Sequence, residues 1–388
     1  MRHMTTVSLT LLILCAGLAS ATTIYVKPDG TGDVPTIQAA VDLAAAGDTV
    51  LLASGTFLGT GNHNVVVPSM PISIRSETGD PGDCILDCEG YLGFGRYALE
   101  FQAGSAYPVL EGVTITRGNS QYGAVRCYSS PAIRNCIFLS NQAFWGAACY
   151  CNGPDVVISG CTFTANTVNA SSGDCGGGAI LFAGTMVSLV VDSCTFTDNS
   201  APLGGAIYCM YHEARADIRN SVFYHNSASV SGGALLVGNL DANLTGCTFV
   251  ANSAPEGSGS GIEAWTSIVI DRCIVAYGSG GCGYLLSDGD PILSVSCTDI
   301  YGNEGGDWVG PLAAALGQDG NLSAAPLFCN YGVGPYDPRL CSGSPCLAGN
   351  HPAGYNCGLI GALGQGCTCG PTKTAPTTWG QIKTQLTN

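Results

Sequence analysis

The chain of 388 residues carries 28 acidic side chains against 13 lysines and arginines, a formal net charge of −15, and only 11% of its residues are charged. That balance excludes nucleic acid as a partner, because neutralising phosphates requires clustered Lys and Arg. Cysteine (21) and glycine (55) are both abundant; in an oxidising compartment so many cysteines suggest a disulfide scaffold, a reading that depends on where they fall.

In chain order, Arg2, an apolar run from Val7 to Leu18 and Ala19-Ser20-Ala21 have the layout of a cleaved export signal, residues 1–21, with Thr22 as the mature start. The run is short for a permanent anchor, and Leu14 stands where a lipoprotein signal has a small residue before Cys15. No later segment is long and apolar enough to be transmembrane, so the mature protein is expected to be secreted, extracellular or periplasmic. Residues 22–60 read as an N-terminal cap. There Asp33 can cap a helix, Pro35 suits its first turn, Ile37, Ala40, Val41 and Ala44 share one face, and Gly47 can end it. Such a helix would plug the open apolar end of a solenoid.

A repeat runs from about residue 105 to 300. NCIFLSNQA (Asn135–Ala143), GCTFTANTV (Gly160–Val168), SCTFTDNSA (Ser193–Ala201), NSVFYHNSA (Asn220–Ala228) and GCTFVANSA (Gly246–Ala254) align, with Phe138, Phe163, Phe196, Phe223 and Phe249 spaced by 25, 33, 27 and 26 residues. A period of this size means a solenoid in which each unit covers its neighbour's apolar face. Each unit holds three period-two runs and no helical pattern. Between the first two runs sits Asn135, Gly160, Ser193, Asn220 or Gly246, mostly residue types that accept a left-handed backbone cheaply. The third run follows a glycine-rich turn: GAVRC, GAACY, GAILF, GAIYC, GALLV. Three strands and three turns per coil make an all-β parallel β-helix of residues 22–369.

Stacking places equivalent side chains in ladders. The five phenylalanines form an internal aromatic stack, and Cys136, Cys161, Cys194, Cys247, Cys273 and Cys297 an internal thiol column, with Ser221 in its one gap. The column reads as small buried hydrophobes, because evenly stacked thiols do not surround a metal tetrahedrally. The polar stretch CMYHEARAD (Cys209–Asp217) falls where neighbouring coils have FAGTMVS and VGNLD, so it reads as a surface turn. Residues 325–369 form a cysteine-rich end in which Cys329, Cys341, Cys346, Cys357, Cys367 and Cys369 suggest an oxidised framework. Residues 370–388 read as a linker and short tail.

DGTGDVPTIQAAVDLAAAGDTVLLASGTF (Asp29–Phe57) resembles the N-terminal cap of pectin-lyase-like right-handed β-helix proteins. The Gly-Gly-Ala-Ile and Cys-Thr-Phe-x-x-Asn-x-Ala repeats are similar to those of secreted bacterial β-helix proteins and polymorphic outer-membrane proteins. DPRLCSGSPCLAGN (Asp337–Asn350) and CGLIGALGQGC (Cys357–Cys367) resemble the closing coil of such proteins. The resemblance implies a right-handed helix. It does not extend to chemistry: the pectinesterase elements Gln-Asp, Asp-Phe-x-x-Gly and Leu-Gly-Arg-x-Trp are missing, as are the paired aspartates and Arg-x-Lys of polygalacturonase-like hydrolases. No cofactor or metal motif is present. The glycine runs lack the aspartate spacing of calcium-binding nonapeptides, so calcium has no motif behind it.

If Ile180, Ile207, Leu235 and Ile262 point inward, Leu181, Tyr208, Leu236 and Glu263 point out, with Arg126 and Cys149 continuing the row. Leu181, Tyr208 and Leu236 then form an exposed apolar stripe, the expected ligand-binding surface, unless the turn Asn169–Gly178 folds over it. His212, Glu213 and Glu263 are the candidate acids and bases beside it. The leading expectation is a non-catalytic binding or surface-interaction module for a polysaccharide or cell-surface glycan. The alternative is a polysaccharide lyase, hydrolase or epimerase, and a third reading is a structural spacer. The sequence gives no oligomeric state.

Overall fold

The computed structural model describes residues 21–369 apart from 170–172, 185–187, 211–213, 287–292 and 332–335. The strands of each coil line up in three long parallel sheets of 11, 10 and 14 strands. The first runs from Thr23–Val26 to Leu293–Ser296 and the second from Gly55–Phe57 to Asp299–Tyr301. The third collects the glycine-led strands, such as Ile180–Phe182, Ile207–Cys209 and Leu235–Val237.

Local conformation explains the coil. Asn135, Gly160, Ser193, Asn220 and Gly246 all bend left-handed, with φ of 47°, 61°, 54°, 51° and 60°. A second column of left-handed residues follows the phenylalanines: Ser140, Ala165, Asp198, His225 and Ala251, at φ 52–55°. Serine and alanine do not favour that conformation. It is held by the buried asparagine that follows in each coil: Asn141, Asn166, Asn199, Asn226 and Asn252. The amide of Asn199, for example, donates to Phe163 O at 3.0 Å and to Asn226 Oδ1 at 2.9 Å, and its Oδ1 receives the Asn166 N–H at 3.1 Å. Beside this ladder the five phenylalanine rings stack at 4.5–4.7 Å, within 5° of parallel.

Both ends of the bore are closed. The helix Ile37–Leu43 buries Ile37, Ala40 and Val41 against the first coils. Its N-cap is Thr36, whose hydroxyl accepts the Ala39 N–H, whereas Asp33 accepts from Tyr25 N–H. At the far end a 3₁₀ segment, Gly310–Ala315, inserts Leu312 into the same core.

Two expectations are corrected. Cys297 does not join the thiol column. The pairing Val275↔Ile300 aligns Thr298 with Cys273, and Cys297 takes the left-handed bend at φ 47°. Thr298 fills the slot because its hydroxyl accepts the Cys273 N–H, as the Cys194 sulfur does for Cys161. Nor does the C-terminal segment form further coils: Phe328–Asn330, Asp337–Cys341 and Gln365–Cys367 pair only with one another. This module packs outside the second sheet, with Leu340, Cys346, Cys357 and Ile360 against Ile274 and Ala276. The physical reason is visible one ladder at a time. Outward positions that are Thr162, Thr164, Thr195 and Thr197 in earlier coils become Ile274 and Ala276 there, which need a cover. Three disulfides, Cys297–Cys357, Cys329–Cys367 and Cys341–Cys369, bind the module and fix it to the last coil. Cys346 stays a thiol and donates to Asp299.

Candidate functional site

Ile180, Ile207, Leu235 and Ile262 do point into the bore, and Leu181, Tyr208, Leu236 and Glu263 follow one another in register on the opposite side. The expected exposed stripe is nevertheless absent: Leu181, Tyr208 and Leu236 are 1%, 5% and 0% exposed. They form a second small core with Leu203, flanked by Trp145, Met210 and Trp265. Glycine makes the cover. A Cβ on Gly176 would lie 2.6 Å from the Tyr208 ring and one on Gly232 2.8 Å from Leu236 Cβ, so the bare backbone of the bends seals the corner. Gly176 and Gly177, described residues of the Asn169–Gly178 turn, lie against Tyr208 and Leu181 and so roof part of the row.

Glu263 is equally internal. It accepts from Gly232 N–H (3.3 Å), Gly259 N–H (3.1 Å) and Trp265 Nε1–H (3.1 Å), which occupies the carboxylate structurally. His212 and Glu213 lie outside the described residues. At the ends of their stretch, Cys209 is in the core, and Asp217 on the outer face pairs with Arg215 and accepts from Asn243. The row also continues differently toward the N-terminus. Leu181 is matched by Tyr150, not Cys149, which faces inward opposite Ile180. The extra alanine in Gly146-Ala147-Ala148 shifts that coil by one place, and a one-residue slip swaps faces.

Past Tyr150 the row becomes Arg126 and then Glu100. Arg126 Nη1 lies 3.1 Å from Glu100 Oε2, and its guanidinium sits 3.7 Å from the centre of the Tyr97 ring. Tyr122 and Tyr128 flank Tyr150 at ring distances of 4.7 and 6.0 Å. Burial raises the pKa of Tyr97 and Tyr128, so both phenols keep their protons and remain donors. Before Tyr97 the chain turns through Gly90–Leu92 and presents Tyr91, Leu92 and Phe94 at 67%, 58% and 61% exposure. Phe94 packs 5.5 Å from Phe144, itself 42% exposed. Arg117 lies 5.0 Å from the Tyr91 ring centre while ion-paired to the buried Asp87. The loop is pinned by Gly95 and Arg96, whose N–H groups both donate to Asn119 O. The result is a fixed, exposed aromatic platform on the N-terminal coils.

Sequence reasoning missed this platform because most of it, Tyr91, Leu92 and Phe94, precedes residue 105, where periodicity begins to assign inside and outside. A compositional signal existed: three of ten arginines, Arg96, Arg117 and Arg126, fall within this short span of an arginine-poor chain. Among the described residues no group of three His, Cys, Asp or Glu side chains is placed to hold a metal, and no helix is long and apolar enough to cross a membrane.

Residues 85–223 match the family model described as the right handed beta helix region. No curated protein matches the sequence. Among solved structures, the pectate lyase Pel9A superposes with a TM-score of 0.42 at 14% identity, covering 90% of this chain and 98% of that one. The alginate lyase AlyGC of polysaccharide lyase family 6 superposes with a TM-score of 0.38 at 9% identity, covering 80% of this chain and 54% of that one. A mannuronic acid specific family 6 lyase from human gut microbiota gives 0.34 at 10% identity, with 74% and 82% covered. The chain is a parallel β-solenoid, and its residues 85–223 carry the right-handed β-helix pattern.

Proposed function

We propose that the protein is an exported, non-catalytic binding module whose N-terminal coils hold a glycan. The observation that carries the reading is the platform of Tyr91, Phe94 and Phe144, large apolar rings left open on an acidic protein. Exposed patches of this kind mark interaction sites. A sugar ring offers an apolar face to stack on an aromatic and hydroxyls for polar groups of the same coils, such as the phenol of Tyr97, three residues after Phe94. Cleavage would need a free acid and base converging on the ligand. The carboxylates beside it are instead occupied, Asp87 and Glu100 in ion pairs with Arg117 and Arg126, and Glu89 by the Gly59 N–H. Export belongs to the same proposal, since three disulfides suit an oxidising compartment.

Affinity electrophoresis through gels containing a panel of polysaccharides tests it. The wild-type chain should be retarded by at least one of them. Phe94→Ala and Tyr91→Ala should abolish the retardation with unchanged Tm, because both rings are more than half exposed. Failure to bind any member, or variants that bind as wild type, would sink the proposal. Release of unsaturated or reducing ends from the bound polymer would replace it with the enzyme reading.

A further inference from the structure

His63 lies under the loop that carries the platform, with its side chain nine-tenths buried. Its Nε2 is 2.5 Å from Arg96 Nη1 and 3.6 Å from Glu89 Oε2. A guanidinium has only donors, so Nε2 accepts and the ring is neutral, with its proton on Nδ1. That Nδ1 is buried and meets no partner. Arg96 follows directly on Gly95 at the end of the platform loop and precedes Tyr97, the ring that lies on Arg126. One imidazole nitrogen therefore holds the side chain of the residue whose backbone helps pin the loop to Asn119.

We propose that His63 is a pH-operated latch: protonation of Nε2 expels the Arg96 side chain, turns the imidazolium to Glu89 and, by displacing Arg96, loosens the backbone bonds to Asn119 that pin the platform loop Gly90–Tyr97. The geometry compels the exchange, because a proton on Nε2 would point at a guanidinium nitrogen at hydrogen-bond distance. Glu89 is the available counter-charge, and it is held in place by the Gly59 N–H at 2.8 Å. No other charge acts on the ring. Arg96 and Glu89 are the two that do, with the neutral side chain of Asn64 beside them. Burial and then the Arg96 charge lower the His63 pKa below its ordinary value. The latch is therefore closed at neutral pH and opens on acidification. In consequence glycan affinity falls in acid, a part of the inference that rests on the platform reading above.

Hydrogen–deuterium exchange of the full chain at about pH 7 and about pH 5, corrected for intrinsic rates, reads the latch without any glycan. Amides of Gly90–Tyr97 should exchange roughly tenfold faster in acid in the wild type. They should be unchanged in His63→Gln, whose amide oxygen still accepts from Arg96 and cannot be protonated. Glu89→Gln, which removes the destination of the imidazolium, should push the transition to lower pH. An acid response that is equal in His63→Gln, or absent from the wild type, overturns the latch. Loop opening without loss of glycan retardation would leave the latch standing and overturn the platform.

Discussion

Phe196 lies between Phe163 and Phe223 with parallel rings 4.7 Å away on either side and no exposed surface. Phe196→Ala leaves a void that the rigid coils above and below cannot close. It should cost about 3–5 kcal/mol in urea unfolding, and a loss below about 1 kcal/mol would contradict the stack. Tyr208 makes the opposite lesson. Alternation correctly places it away from the phenylalanines, but alternation separates only two faces and says nothing of what lies on the second. The roof is bare glycine backbone, which leaves no hydrophobic signature of its own. Tyr208→Ala is accordingly expected to lower stability by about 2 kcal/mol and to leave glycan retardation intact. A variant with unchanged stability and no ligand would restore the exposed-stripe reading.

The strand-to-strand ladders show which parts of an element a repeat can reveal. The left-handed bends at Asn135, Gly160 and Asn220 are legible because residue type and conformation agree. Those at Ala165 and Ala251 are not, because the cause sits one residue later, in the asparagine that each coil buries. That asparagine is plain in Cys-Thr-Phe-x-x-Asn, yet polarity alone suggests a surface turn; only its ladder of partners makes an interior position tolerable. Asn199→Ala would orphan the Asn166 N–H and take the side-chain amide donor from the Phe163 carbonyl and from Asn226 Oδ1, which keeps only the backbone N–H of residue 199. It should cost about 3 kcal/mol or more. The outer pair one strand earlier behaves differently. Asp192 and Arg219 face each other in adjacent coils, as their shared place two residues before Cys194 and Ser221 predicts, at 3.1 Å. Asp192→Asn should cost only about 0–1 kcal/mol, since exposed ion pairs contribute little. Equal losses for the two variants in the same denaturation series would refute the ranking.

At the scale of the molecule, the cysteines divide by place. The described cysteines of the coils, Cys136, Cys161, Cys194 and Cys247 among them, are buried thiols, while the three disulfides lie in or tether the C-terminal module. Crowding of cysteines after residue 325 made an oxidised end legible, but its docking outside the second sheet was not, because only the late coils turn their outer face apolar. That docking buries Asp299 completely, with Ala324 N–H at 3.0 Å on one oxygen and the Cys346 thiol at 3.2 Å on the other. Two neutral donors do not match the lost hydration, and burial raises the Asp299 pKa to about 7. The sign follows by linkage. Below about pH 4 the carboxyl is protonated in folded and unfolded chains alike and costs nothing. As pH rises to about 7 the unfolded chain ionises freely and the folded one resists, so stability declines across that window and stays reduced above it. Asp299→Asn keeps the oxygen that accepts from Ala324 and cannot ionise. Its stability, and the exchange protection of Leu340 and Ile360 in the docked module, should be nearly flat from about pH 4 to about pH 8, while both fall in the wild type. Parallel pH profiles for the two proteins would show that the module docks without regard to this buried acid.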